Sequence, residues 1–171
     1  MGVYQAQHPN SLIDQVLTGI TYVFLAAPSY VLGLGLLWVF AVVLGWVPAG
    51  GMRTVLAPFS VLDVLHHLIL PAAAIALGNI ALYARYMRVS MLEQTSQLYI
   101  RTAHAKGLVP RRIYWHHVVP NALMPVVMNL ATNLAQILSG VFIVEVVFNW
   151  PGMGILFVDA IYTEDYNVLM A

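Results

Sequence analysis

Cysteine is absent from the 171 residues, which excludes disulfides, thiolate metal sites and cysteine nucleophiles within them. Charge is scarce as well. Asp, Glu, Lys and Arg supply 8% of the chain, where a soluble domain carries about 25%, and too few remain to cover a water-facing surface. Seven basic and seven acidic residues cancel, so net charge gives no pull toward nucleic acid. The phosphate-cradling pattern G-x-x-x-x-G-K-[ST] does not occur, so ATP is not bound here through such a loop. No nucleophile–base–orienter set is visible. No 20–50-residue period repeats, and no segment is of low complexity. The first fourteen residues are polar and lack the basic start and apolar core of a secretory signal.

What is present is apolar. Hydrophobic residues make up 61% of the chain, and the mean hydropathy is +0.81. Asp, Glu, Lys and Arg are missing from 15–52, 64–84 and 113–144. A helix crosses the hydrocarbon with about 20 apolar residues, and an ionisable group at its centre costs roughly 2.5–3.5 kcal/mol. The expected architecture is therefore an all-α membrane protein with about three transmembrane helices, over residues 20–46, 68–92 and 121–144. Pro28, Gly33 and Gly35 fall inside the first span, where neighbouring helices can satisfy freed backbone groups. VPAGGMRTVLAPFS reads as a loop, followed by a short amphipathic piece around Val61–His67. Pro71 suits the first turn of the second span, and Ala74 with Gly78 has the spacing of close helix–helix approach. Asn10 or Ser11 is placed to cap a short helix near the start.

Six of the seven basic residues (Arg85, Arg88, Arg101, Lys106, Arg111 and Arg112) lie between the uncharged stretches of the second and third spans, and only Arg53 lies elsewhere. The positive-inside rule then places 85–120 and, by alternation, 1–14 in the cytoplasm, with 47–66 and 145–171 outside. The polar loop 93–120 reads as two short helices broken at Gly107, a C-cap candidate. Pro110 prevents simple continuation. Leu98, Ile100, Leu108 and Ile113 are expected to act as apolar knobs for a partner's groove. A basic, partly helical loop is also what any cytoplasmic connection looks like.

In the third span, Asn129, Asn133, Gln136 and Gly140 recur at helical spacing, with Thr132 and Ser139 beside them, and Asn79 is their companion in the second. Amides of this kind either line a polar pathway or bond helix to helix. His66–His67 and His116–His117 are adjacent pairs, which diverge by about 100° on a helix and lack the i, i+4 spacing of a zinc helix, so no metal site is expected. Glu145, Glu164 and Asp165 read as solvated or structural acids, and neither an enzyme nor a cofactor is indicated.

RTAHAKG followed by Pro120 resembles the EAA loop of the permease subunits of bacterial ATP-binding-cassette importers. That loop is Glu-Ala-Ala, three residues, Gly, nine residues, then Ile-x-Leu-Pro. Arg101, Thr102 and Ala103 stand at its first three positions, Gly107 at the glycine, and His117, Val119 and Pro120 at the last. Arg101, Thr102 and His117 depart from the general pattern, yet YIRTAxAKGL, NALMPVV, VVFNWPGMG and LGWVPAGGM are together similar to the dipeptide, oligopeptide and nickel branch. The resemblance implies a type I permease helical bundle in the bacterial or archaeal cytoplasmic membrane. It implies a coupling helix over Ala103–Arg112 seated in a cytoplasmic ATP-binding subunit, with Ala105, Lys106, Leu108, Arg111 and Arg112 in that contact. A second, homologous permease subunit and an extracytoplasmic solute-binding protein complete the implied assembly. Peptides are the implied solute, with nickel complexes and glutathione as alternatives of the same branch. A structural or assembly protein with a lipid-binding basic loop is the alternative of a different class. Family members usually have around six spans, so this stretch is expected to be part of a longer permease.

Overall fold

The computed structural model describes residues 1–170, and the side chains of these apart from 134–140. Helices and their connections account for it, with no strand among the described residues. In chain order the helices are α1 (Gly2–Gln7), α2 (Leu12–Ala26), α3 (Ser29–Leu36), α4 (Val61–Thr95), α5 (Leu98–Ala105), α6 (Pro110–Ile113), α7 (Val119–Val147), α8 (Met153–Tyr162) and α9 (Tyr166–Leu169). α3 and α6 each run on as a wider π-helical stretch, Leu37–Val43 and Tyr114–Val118.

Three boundaries differ from the expectation, and proline explains the first. The helix expected over 20–46 starts at Leu12, stops at Ala26 and restarts at Ser29. Pro28 is the cap of the new helix, with φ −57° and ψ 146°, and proline disfavours helical backbone in the residue before it. The other two go the opposite way. Pro71 lies inside α4, not in its first turn, and Val61–His67 forms the opening turns of that same helix. Pro125 lies inside α7, and helical turns already begin at Pro110, so the expected 121–144 span is the later part of a longer run. Val61–Thr95 is long and apolar enough to cross a membrane, and Leu12–Ala26 with Ser29–Val43 meets the same criterion as a bent pair.

Two compact units arise. The first comprises residues 1–26 and 79–134. Its core is Ala6 from α1, Met87 and Met91 from α4, Ile100 and Ala103 from α5, Ile113, and Val118, Val119 and Ala122 at the start of α7. Met91 has no exposed surface. Ser11 Oγ accepts the Asp14 N–H at 3.1 Å and so caps α2. Ser90, buried on α4, donates its hydroxyl to the Ala122 carbonyl at 3.0 Å, a direct bond between α4 and α7.

The second unit comprises 27–78 and 135–171. Leu70, Ala74, Val144 and Phe148 are its buried core, flanked by Leu36, Leu37, Phe40 and Val147. The connection before α4 is pinned by Asp63, which accepts the Thr54 N–H at 2.7 Å and its hydroxyl at 2.8 Å. His66 Nε2 meets the Trp46 carbonyl at 3.0 Å and His67 Nδ1 meets the Asp63 carbonyl at 2.8 Å, so both rings are tied locally. PAGGM and FNWPGMG come together: the Gly51 N–H donates to the Phe148 carbonyl at 2.8 Å. The Glu145 carboxylate accepts the Gly154 N–H in the first turn of α8. An anion there offsets the unpaired donors and positive end of a helix N-terminus. Asp165 likewise caps α9 through the Asn167 and Val168 N–H groups.

Large apolar side chains stay exposed along α2 (Leu12, Val16, Val23) and α4 (Leu62, Leu65, Ile69, Ile80). Surface of this kind requires an apolar environment, either lipid or further helices. Ala74 is buried, but no heavy atom lies within 4 Å of a Cβ built on Gly78, so the small-residue pair makes no close approach among the described residues.

Gly50 gives the direct test of the second unit. A Cβ there would sit 2.6 Å from the Phe148 carbonyl oxygen, a backbone atom that cannot swing aside. Gly50→Ala is expected to destabilise the fold by about 1–3 kcal/mol, read as a lower thermal unfolding midpoint in detergent. Gly78→Ala, with open space around it, is expected to leave stability unchanged or raise it by up to about 1 kcal/mol, read as an unchanged or higher midpoint.

Candidate functional site

The strongest motif of the sequence lies in the first unit, and its geometry starts with the end of a helix. α5 buries Ile100 and Ala103, three residues apart and so on one face. Ile100 is 2% exposed against Met87 and Met91 of α4 and Ile113 of α6. After Ala105 the chain turns through Lys106 into Gly107, whose φ of +74° is left-handed and free of steric cost only for glycine. The Gly107 N–H donates to the His104 carbonyl at 2.9 Å and the Leu108 N–H reaches the Ala103 carbonyl at 3.3 Å. These two bonds make a Schellman ending, with Leu108 half-buried against the same core. Val109 is then extended and Pro110 opens α6 at the position where its missing N–H costs nothing.

The stretch Ala103–Arg112, expected as one coupling helix, is thus the end of α5, a glycine turn and the first residues of α6. Arg101, Thr102, Ala105, Lys106, Gly107, Arg111, Arg112 and Pro120 are all exposed, while Ala103 is buried. Arg101, Lys106, Arg111 and Arg112 have no acidic partner within ion-pair distance among the described residues. Thr102 bonds its hydroxyl back to the Leu98 carbonyl at 3.0 Å.

Two of the four expected apolar knobs are corrected. Ile100 and Ile113 are interior residues that anchor the element to its own chain. Leu98, 75% exposed, remains outward, joined by Val109 and Trp115, which the sequence reading did not single out. Near His117, the apolar contacts come instead from buried Val118 and Val119. The His117 carbonyl accepts the Asn121 side-chain amide at 2.7 Å. That amide also reaches the Tyr99 hydroxyl at 3.3 Å, and Tyr99 donates to Gln94 Oε1 at 2.6 Å. This network ties α5 to the end of α4 and the start of α7.

Of the predicted polar face, Asn129 lines a cavity of about 460 Å³ with Arg85, Tyr86, Ser90, Glu93 and Pro125. Its amide nitrogen donates to the Pro125 carbonyl at 2.8 Å, a bond within its own helix. Thr132 bonds back to the Met128 and Asn129 carbonyls. Asn133 is half-buried. Asn79 does not line this cavity, and the side chains of Gln136, Ser139 and Gly140 lie outside the described ones. No group of three or more His, Asp or Glu able to hold a metal occurs among the described residues.

The most consequential contact absent from the sequence reading is an ion pair 74 residues apart. Arg88 of α4 grips Asp14 of α2 through two parallel bonds, Nε to Oδ1 at 3.0 Å and Nη2 to Oδ2 at 2.8 Å. Asp14 is 2% exposed.

Comparison with known proteins fits these features. Residues 1–171 match the family described as "Binding-protein-dependent transport system inner membrane component". The "Oligopeptide transport system permease protein AppB" of Bacillus subtilis is 42% identical over 99% of this chain and 54% of its own length. The "Dipeptide transport system permease protein DppB" of the same organism is 41% identical over 99% of this chain and 52% of its own. The "Oligopeptide transport system permease protein OppB" of Escherichia coli is 34% identical over 99% of this chain and 53% of its own. The chain therefore spans about half the length of the curated relatives it matches. It belongs to the family of inner membrane components of binding-protein-dependent transport systems, an all-helical membrane protein with a type I permease fold.

Proposed function

We propose that this chain is part of a permease that carries peptides across the bacterial cytoplasmic membrane, and that α5, the Gly107 turn and α6 couple it to a cytoplasmic ATP-binding subunit. The observation that carries the proposal is the division of this element into two faces. Ile100, Ala103 and Ile113 are fixed in the chain's own core, while Arg101, Lys106, Arg111 and Arg112 face outward without acidic partners among the described residues. A rigidly anchored cationic edge suits an acidic groove, because complementary charge steers and orients docking. Leu98, Val109 and Trp115 supply apolar contact beside it.

The assembly we infer contains a second, homologous permease subunit, ATP-binding subunits and an extracytoplasmic solute-binding protein, with the present chain passing the membrane several times. We assign the basic edge to the cytoplasmic side, which the positive-inside bias supports. Asn129 and the cavity around it face the solute path. Uncharged amides suit a conduit that must accept many peptide sequences. Peptide is favoured over nickel or glutathione because relatives 41–42% identical to this chain are named for oligopeptide and dipeptide transport.

The test uses the full-length permease with its ATP-binding subunits. Arg111→Glu with Arg112→Glu is expected to lower recovery of the ATP-binding subunits by about tenfold or more, with ATP-driven uptake of labelled dipeptide falling in step. Arg53→Glu, a charge reversal at the basic residue outside this element, leaves both unchanged. Undiminished recovery in the double variant contradicts the docking assignment. Gly107→Val, which meets open space but needs φ +74°, is expected to destabilise the turn by about 1–2 kcal/mol, measured as faster amide exchange at 104–109.

A further inference from the structure

We propose that Asp14 and Arg88 form an ionic strut that carries movement of the α5–α6 element to α2; Arg88 and Asp14 are then positioning residues for transport. This rests on the coupling role proposed above. The five donors around Asp14 define the strut. Oδ1 accepts Arg88 Nε at 3.0 Å, the Gln5 amide at 3.2 Å and the Thr18 hydroxyl at 3.4 Å. Oδ2 accepts Arg88 Nη2 at 2.8 Å and the Asn10 N–H at 3.0 Å. The forked pair fixes orientation as well as distance.

Location gives this pair its consequence. Arg88 sits between Met87 and Met91, which are buried against Ile100 and Ala103 of α5. One short stretch of α4 therefore grips the outward-facing element through its methionines and α2 through its arginine. α1 closes the triangle. Ala6 is buried in the same methionine cluster, and its neighbour Gln5 donates to both Asp14 and Thr18. A Cβ on Gly2 would collide with the Ala84 carbonyl, so α1 lies hard against α4. One turn before Arg88, the Arg85 guanidinium lies over the Tyr22 ring at 5.6 Å, a second tie between α4 and α2.

Stability alone does not account for the choice of residues. Asp14 is buried and the Arg88 side chain is 27% exposed, and an ion pair withdrawn from water in this way is often no more stabilising than apolar side chains of similar volume. Apolar packing carries no preferred direction, whereas a bidentate pair fixes the orientation of two helices as well as their separation. That property is what transmission of a displacement requires.

Asp14→Asn keeps the shape and removes the charge. In the full-length assembled transporter, ATP hydrolysis is expected to stay within about twofold while peptide import falls by at least about tenfold. Arg88→Gln should match it, the double variant should be no worse than either single one, and Arg88→Lys, a point contact, should fall between. Unchanged import per ATP overturns the strut, and so does a parallel fall of import, hydrolysis and complex yield, which marks a purely structural pair. An independent readout uses hydrogen exchange of the full chain in detergent. Ala103→Leu, which pushes on the α5–α4 contact, should speed exchange across 12–26 in the parent background and not with Asp14→Asn. Equal acceleration in both backgrounds overturns the strut. If the parent transporter imports no peptide with ATP, the importer assignment falls while the exchange measurement still decides this one.

Discussion

An element that carries four cations on its surface holds its shape only if its other face is fixed, and burial of Ile100 and Ala103 in one cluster with Met87 and Met91 fixes it. Everything in the first unit follows from that contact. The Schellman ending at Gly107 reverses the chain without leaving the core, because Leu108 returns to it. Pro110 then starts a helix that Ile113 and Val118 anchor in the same cluster. Since the next turns lead into α7, the cationic edge and the helix bearing Asn129 belong to one continuous run of helical backbone. The π-helical stretch Tyr114–Val118 ends two residues before Pro120, which has no N–H to offer the preceding turn, and the Val119 N–H reaches back five residues to Tyr114.

The second unit is organised by backbone contact more than by side-chain volume. Gly50 and Gly51 let one loop lie directly on the Phe148 carbonyl. Gly152 and Gly154 leave room for the Glu145 carboxylate at the start of α8. Glycine is needed here because a side chain would occupy space already taken by backbone or carboxylate. Glu145 is thereby a capping residue, which explains why it needs no second charge beside it.

How much was legible in the sequence follows from the range of the interactions. The Gly107 turn was readable because a helix ending is a local pattern of about six residues. The apolar stretches marked the long helices, but their ends shifted because Pro71 and Pro125 are tolerated inside helices whereas Pro28 is not. Ile100 and Ile113 were misplaced for a different reason: periodicity puts a residue on an apolar face without saying whose surface covers it, and their cover proved to be the chain itself. The Asp14–Arg88 pair left no local trace at all, since its members stand 74 residues apart. Within the polar face, Asn129 satisfies its amide on its own helix, a bond that side-chain spacing does not distinguish from one made to a neighbour or a solute.

The central claim is that the surface formed by α5, its glycine turn and α6 is the one that meets the ATP-binding subunit. Cysteine is absent from these 171 residues, so once cysteines elsewhere in the assembly are replaced, a single introduced thiol reports contact directly. Lys106→Cys and Arg111→Cys, each treated with a short thiol-to-amine cross-linker in the assembled transporter, are predicted to give an adduct with the ATP-binding subunit, while Arg53→Cys gives none. Absence of that adduct from both positions, in a complex that still assembles and hydrolyses ATP, would contradict the account.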